Sequence, residues 1–327
     1  MKTPQFWQRD SNSLLPLLLT PAACLYGGIS RFHRSLQKGE RVSVPVICIG
    51  NVVAGGAGKT PVAVAVARLF LSVGKKPHFL SRGYGGTLAG PTRVVLDVHT
   101  FREVGDEPLI LAETAPTWIA RDRAAGARAA EEAGADVIIM DDGFQNPSLV
   151  KDLSLLVLDA DYGVGNGRLI PAGPLREPLA AGLSRSEAVI LVGRNNDQNA
   201  INQLKKIKPV YKSYLVPRPS AEALSGERVV AFAGIGRPEK FFNSLREAGC
   251  DLIDHFSYAD HHVYKNEEIM TMVESAATQN AALVTTRKDF VRLPAEARMM
   301  VTVFDVDMAF ETPEALKSLL LSVLKEG

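Results

Sequence analysis

The sequence is short of cysteine, nearly without net charge, and free of any long unbroken apolar run. Its three cysteines, Cys24, Cys48 and Cys250, are far apart, odd in number and in no C-x-x-C pair. That excludes a disulfide framework and a cysteine-held zinc site, and it points to a reducing compartment. Lysine plus arginine total 37 against 36 for aspartate plus glutamate, a formal charge of +1, so there is no broad basic surface and nucleic acid is not an expected partner. The most apolar stretch, Leu14 to Leu19 and then 21 to 29, is broken by Pro16, Pro21 and Gly27-Gly28 and is too short to read as a span. Asp10 ahead of it argues against a cleaved signal.

What that stretch does have is a basic sequel, Arg31, His33, Arg34 and Lys38. Large apolar side chains are each worth roughly 1.5–3 kcal/mol when buried. Residues 1–40 therefore read as a helical segment able to lie on a bilayer, its cations meeting anionic headgroups. The same residues also suit a helix pair packed on the following domain, and the two readings are compatible.

The chain is organised around residues 44 to 70, an apolar run, then Gly55-Gly56-Ala57-Gly58-Lys59-Thr60-Pro61, then an Ala/Val-rich segment. Strand, glycine loop and helix in that order make a phosphate cradle. Glycines let successive backbone N–H groups turn inward, Lys59 supplies a point charge for the outer phosphates, and Thr60 offers its hydroxyl to Mg2+. Pro61 fits the first helical turn, where its missing N–H is not needed. The strict G-x-x-x-x-G-K-[ST] pattern fails at Val53, but the core stands and predicts ATP or GTP binding. It resembles the Gly-Gly-x-Gly-Lys-Thr NTPases, without the extra lysine that would fall at Ala54.

At 327 residues, one large or two modest α/β domains are expected. The pattern predicts a helix over 61–73, a strand over 77–80 running into the glycine-rich loop 81–86, a strand over 92–97, and a helix to about 114 with Asp106 as its N-cap. A helix over 122–133 follows, then a strand ending in Asp141-Asp142, whose carboxylates would emerge beside the phosphates, where one holds Mg2+. Strands at 153–158, 188–192 and 210–216 flank the long loop 163–178, which carries Arg168 and Arg176. After Pro217-Arg-Pro219 the strand–helix rhythm restarts, with strands near 229–233, 252–256, 282–285 and 300–304 and a last helix over 312–325. The expected division is 1–40 for the apolar and basic segment, 41–218 for a P-loop domain and 219–327 for a smaller α/β domain joined by a hinge. In the smaller domain, Asp260-His261-His262 suits proton transfer, because a carboxylate beside an imidazole fixes its tautomer and raises its basicity.

Seven stretches, taken together and in order, resemble the tetraacyldisaccharide 4'-kinases, the lipid A 4'-kinases of Gram-negative bacteria. They are Gly50 to Pro61, Ser81 to Gly85, Gly105-Asp106-Glu107-Pro108, Asp141-Asp142-Gly143-Phe144-Gln145, Ile170 to Glu177, Asp260-His261-His262 and Thr285-Thr286-x-Lys288-Asp289. The family's usual threonine is Ala57 here, a change that spares the backbone cradle. The resemblance implies a P-loop NTPase-like parallel sheet flanked by helices, with a second, smaller α/β domain. It implies phosphoryl transfer from ATP, with Mg2+, to the 4'-hydroxyl of a tetraacyldisaccharide 1-phosphate at the cytoplasmic face of the inner membrane, with the protein peripheral or shallowly inserted. By the same matching, Asp106 is the base, assisted by His261 or His262, with His261 favoured. Lys59 and Thr60 serve the phosphates and Mg2+, and Asp141 or Asp142 completes the metal site. Arg176 is expected to clamp the transferred phosphate, and Arg82, Arg123 or Arg168 to meet phosphate or the substrate's 1-phosphate.

Two rival readings share the loop. A partner-coupled NTPase, driving assembly or metallocentre delivery, commonly brings the second lysine and Cys/His clusters that are missing here. An ATP-dependent ligase leaves the apolar N-terminus unexplained.

Overall fold

The structure, a computed structural model, describes residues 4–9, 11, 13–194 and 197–324, without the side chains of 33–35. His33 and Arg34 of the basic group, and the end of the predicted last helix at 325, thus fall outside the described side chains or residues. Thirteen strands run in chain order: Val46–Gly50 (β1), Pro77–Ser81 (β2), Thr92–Arg93 (β3), Thr117–Ile119 (β4), Val137–Asp141 (β5), Leu153–Asp159 (β6), Ala188–Val192 (β7), Val210–Pro217 (β8), Arg228–Ala233 (β9), Asp251–Ser257 (β10), Ala282–Thr285 (β11), Thr302–Val303 (β12) and Val306–Phe310 (β13). Nine form one sheet in the order β13-β8-β7-β6-β1-β5-β2-β4-β3, and four form a second in the order β10-β9-β11-β12.

The large sheet is parallel except at its two edges, where β13 and β3 run antiparallel to their neighbours. Its central strands are apolar on both faces because both are covered. From β1, Ile47 and Ile49 pack with Val62, Val66 and Phe70 of the helix Lys59–Leu71. Val46 and Cys48 face the other way, toward Ala127, Ala130 and Leu183. The second sheet repeats the plan with Phe241, Phe242 and Leu245 on one face and Ile269, Met272 and Ala276 on the other.

Three expectations need correction. The strand over 92–97 shortens to β3, because the chain turns at Val95, whose N–H donates to His99 Nδ1 at 3.0 Å. The strand over 300–304 is β12 alone, in the small sheet, and a strand that was not expected, β13, follows it in the large one. The boundary at 219–327 therefore takes in too much. Strand β13 pairs with β8, and Met308, Leu316 and Leu320 complete the same core as Ile47. Alternation reveals a strand but not its partner, since pairing is a long-range choice. The small sheet is thus joined to the large one by two crossings, after Pro217 and before Val306, which are register partners. Arg218 braces both, its N–H donating to Asp305 O at 2.9 Å and its Nε to Asp307 Oδ1 at 2.8 Å.

At the N-terminus, helices Leu15–Leu18 and Thr20–Leu36 are tied to the long loop 163–178. Trp7 Nε1 donates to Pro171 O at 3.1 Å, Asn166 Nδ2 to Phe6 O at 2.9 Å, and Arg168 Nη1 to Thr20 Oγ1 at 2.9 Å. Leu18, Leu25, Ile29, Phe32 and Leu36, close to one helical face by their spacing, are exposed. Among the described residues no helix is long and apolar enough to cross a membrane.

Candidate active site

Strand β1 delivers the chain into the glycine loop, and Gly58, at φ +85°, ends it as the N-cap of the helix Lys59–Leu71. That left-handed conformation favours glycine. A Cβ on Gly55 or Gly56 would meet nothing within 4 Å, so the loop faces open space. Strand β5 lies beside β1 with Asp141 opposite Ile49, which brings both aspartates to the loop. Lys59 Nζ stands 3.6 Å from Asp142 Oδ1, and Arg176 Nη1 donates to both oxygens of Asp142 at 3.0 Å. Asp141 instead faces Thr60, whose hydroxyl donates to Asp141 Oδ2 at 3.4 Å.

The two aspartates therefore differ electrostatically. Burial pushes the Asp141 carboxyl up, the charges of Glu107 and Asp142 add to the effect, and with Lys59 and Thr60 opposing, it reaches about 7. Burial also acts on Asp142, but Lys59 and Arg176 outweigh it and hold that carboxyl below its ordinary value. Asp141 Oδ1 is buried with no hydrogen-bond partner. A lone carboxylate oxygen beside a threonine hydroxyl is a donor set suited to a hard cation that takes its remaining ligands from phosphates and water. Among the described residues no three or more His, Cys, Asp or Glu side chains gather as a metal cage.

A second cluster forms where the small sheet meets the helix Asp106–Ala112. The N-cap of that helix is Gly105, at φ +89°, and Asp106 is its first residue. The expected cap thus moves by one, because a Cβ at Gly105 would stand 2.5 Å from Tyr84 O. Asp106 is 3% exposed. Its Oδ2 lies 2.9 Å from His261 Nδ1 and 3.4 Å from Arg292 Nε, and its Oδ1 accepts from Glu107 N–H at 2.9 Å. Lys288 Nζ is 3.4 Å from His261 Nε2. An ammonium only donates, so Nε2 accepts and the ring hydrogen sits on Nδ1, donating to Asp106. Burial alone would raise the Asp106 carboxyl. The His261 hydrogen bond and the charges of Lys288 and Arg292 outweigh burial and bring it below the ordinary aspartate value.

His262 is turned away, with Nε2 at 2.9 Å from Glu268 Oε2 and the ring stacked on Tyr258 at 4.6 Å. The structure thus pairs Asp106 with His261 and not with His262. Beneath the histidines lies a buried frame. Asp289 Oδ1 accepts from Gly234 N–H, Tyr264 OH and Arg292 Nη2 at 2.8, 2.6 and 2.9 Å. Sequence reasoning left Glu107, Lys288, Asp289 and Arg292 without roles. They sit in charged stretches that read equally well as solvated helix ends, and only their partners, far away in the chain, distinguish them.

The two clusters lie close to each other. Glu107 adjoins Asp106, pairs with Lys288 Nζ at 3.3 Å and raises Asp141 through its charge. A Cβ on Gly236 would stand 3.6 Å from Gly56 N and 3.4 Å from Asp260 Oδ2. The three remaining arginines separate. Arg82 lines a small cavity with Tyr84 and Arg121, and the Tyr84 ring lies 5.5 Å from that of His261. Arg123 is buried, donates to Ala120 O, and is pushed down to about 10 by burial and by Arg82. Arg168 holds Thr20.

The sequence and fold match known proteins over nearly their whole length. A family model described as LpxK: Tetraacyldisaccharide-1-P 4'-kinase matches residues 15–325. A tetraacyldisaccharide 4'-kinase of Rhodospirillum centenum is 51% identical, covering 99% of this chain and 97% of that protein. One of Paramagnetospirillum magneticum is 50% identical, covering 98% of each. The crystal structure of LpxK from Aquifex aeolicus in complex with ATP superposes with a TM-score of 0.75 at 28% identity, covering 95% of this chain and all of that one. With a P-loop and a buried Asp–His pair close to each other, and with these matches end to end, the chain belongs to the tetraacyldisaccharide-1-P 4'-kinase family.

Proposed function

We propose that this protein transfers the γ-phosphoryl group of ATP to the 4'-hydroxyl of a tetraacyldisaccharide 1-phosphate, a step in making lipid A. The observation that carries the reading is the Asp106–His261 pair close to the phosphate loop. A sugar hydroxyl is a poor nucleophile at neutral pH, so it needs a positioned proton acceptor. A carboxylate held below its usual range is fully ionised there, so Asp106 is present in its accepting form. His261 orients it through Nδ1–H, and Lys288 fixes that tautomer. Lys59 and the loop N–H groups hold the β- and γ-phosphates, while Arg176, which donates to Asp142 beside Lys59, is assigned the clamp on the transferred group. Mg2+, when bound, neutralises phosphate charge and aligns the transfer. Thr60 and Asp141 are the residues that would hold it, with Asp142 serving as the anchor of Lys59 and Arg176.

The test is transfer of label from γ-labelled ATP to a detergent-dispersed tetraacyldisaccharide 1-phosphate. A labelled lipid bisphosphate is expected. Label recovered only as inorganic phosphate would overturn the reading and restore the partner-coupled NTPase.

The exposed row Leu18, Leu25, Ile29 supports a peripheral seat on the cytoplasmic face of the inner membrane, with the acyl chains of the substrate staying in the bilayer. Replacing all three with glutamate is expected to reduce co-flotation with anionic vesicles by at least about tenfold, because each substitution removes roughly 1.5–3 kcal/mol of apolar transfer. ATP binding should be unchanged. Undiminished flotation would place the membrane contact elsewhere.

A further inference from the structure

The turn leaving β9, Gly234 to Pro238, has no part in the chemistry above, yet it touches both clusters. On one side Gly234 O accepts from His261 N–H at 3.1 Å and from Arg292 Nη2 at 3.0 Å. On the other, Arg237 Nη2 donates to Gly56 O in the phosphate loop, 181 residues away in sequence, and to Asp159 Oδ2 at 2.6 Å. Asp159 ends β6 and is itself fixed, its Oδ1 accepting from the N–H groups of Asp161 and Tyr162 at 2.9 Å each. Lys240, one turn further along, donates to Asp159 Oδ2 and stands 3.2 Å from Asp161 Oδ2. The Arg237 guanidinium lies over the Tyr162 ring at 5.1 Å.

A trans peptide is planar, so the carbonyl of one residue and the N–H of the next point in opposite directions. Gly55 and Gly56 have no side chain to pack, and a Cβ on either would meet nothing, so packing holds the peptide between Gly56 and Ala57 only from its Ala57 end, where the methyl is buried. We infer that Arg237 is a positioning residue. By drawing the Gly56 carbonyl toward the small sheet it turns the Ala57 N–H the other way, into the phosphate cradle, and it keys the loop to the turn that frames His261. The inference rests on the reading of that loop as the ATP site. It assigns a nucleotide-positioning role to a residue that makes no contact with the reacting atoms.

The test compares ATP affinity and the ATP KM of the full-length protein with those of Arg237→Ala, Arg237→Lys and Lys240→Ala, with Lys59→Met as a reference. Losing one charge-assisted hydrogen bond that presets a phosphate donor is expected to weaken ATP binding and raise its KM by about tenfold, with kcat at saturating ATP changed much less. Arg237→Lys keeps a cation long enough to reach the carbonyl and is expected to recover most of the loss. Lys240→Ala, which shares Asp159 but not the loop, is expected to leave affinity unchanged. Amide hydrogen exchange over 54–60 should quicken in Arg237→Ala and not in Lys240→Ala.

Unchanged affinity in Arg237→Ala, or an equal loss in Lys240→Ala, overturns the inference. If the parent binds ATP and Lys59→Met loses it while Arg237→Ala keeps it, only the inference fails. If the parent itself does not bind ATP, the reading beneath it fails as well. Should Arg237→Ala not fold, the gap between parent and Arg237→Lys is compared with that of Arg237→Gln, and equal affinity in all three overturns it.

Discussion

Asp106→Asn is expected to slow phosphoryl transfer to the lipid hydroxyl by about 10³-fold, within the range that general-base groups supply. Asparagine keeps the shape of the side chain and an oxygen that accepts from His261, but it has no carboxylate to take a proton. ATP affinity should stay at the parent value, because Asp106 faces the small sheet and is not part of the loop. Since Lys288 holds the imidazole as the Nδ1–H tautomer, His261→Ala should give a smaller loss than Asp106→Asn, through orientation alone. Initial rates with labelled ATP settle the ranking. An Asp106→Asn protein retaining more than a tenth of parental activity would remove Asp106 from the role of base.

Asp141→Asn is expected to move activity and stability in opposite directions. Activity with Mg2+ should fall by at least about 10²-fold, since Asp141 offers the unpartnered oxygen beside Thr60. In chelator, however, the variant should melt higher than the parent at pH 8. The carboxyl of Asp141 lies at about 7 in the folded protein against an ordinary 3.8, so the native state binds this proton more tightly than the unfolded chain does. That contribution is complete below about pH 4 and is lost as pH rises through about 7. Asparagine removes this dependence, so the melting temperatures of variant and parent should diverge between pH 5 and pH 8. A variant that melts below the parent at pH 8 would sink the argument. Asp142→Asn is the contrasting case. It frees Lys59 and Arg176, and its carboxyl lies below the ordinary value, so it should be less stable above pH 4.

Much of the site was legible before any coordinates. The glycine loop announces itself because backbone cradles need glycine at fixed offsets from a lysine and a threonine. The paired aspartates announce themselves because a four-residue apolar run set off by Gly134 and Asp136 on one side and two aspartates on the other reads as a buried strand, whose carboxyl end lies near the loop in a parallel sheet. Asp106 and a histidine beside it came from resemblance, with His261 favoured, but the pairing of His261 with Asp106 and of His262 with Glu268 is seen only in the structure, because adjacent side chains at a turn point in directions that sequence does not encode. The charge network around Lys288 and the reach of Arg237 to Gly56 were invisible for the same reason. Both join segments more than a hundred residues apart, and local pattern carries no distance information at that range. Arg168 shows a further partner that local pattern does not reveal. An arginine on a glycine-rich loop suggests an anion site, whereas in the structure it donates to a threonine hydroxyl on the helix Thr20–Leu36.

The return of β13 to the large sheet bears on how the chain is made. Synthesis proceeds from the N-terminus at about 5–20 residues per second, and domains that are continuous in sequence fold as they emerge. The nucleotide-binding sheet is denied that route, because its edge strand and the covering helix Pro313–Leu321 are made after the small sheet. The small sheet, complete by Val303, is available earlier. Until the final segment arrives, β8 presents an open edge, and Phe70 and Ile47 lack part of their cover. Polypeptides interrupted after Asp305 would therefore be sticky and short-lived, with the ATP-binding sheet left unfinished for want of a segment more than two hundred residues downstream of its glycine loop.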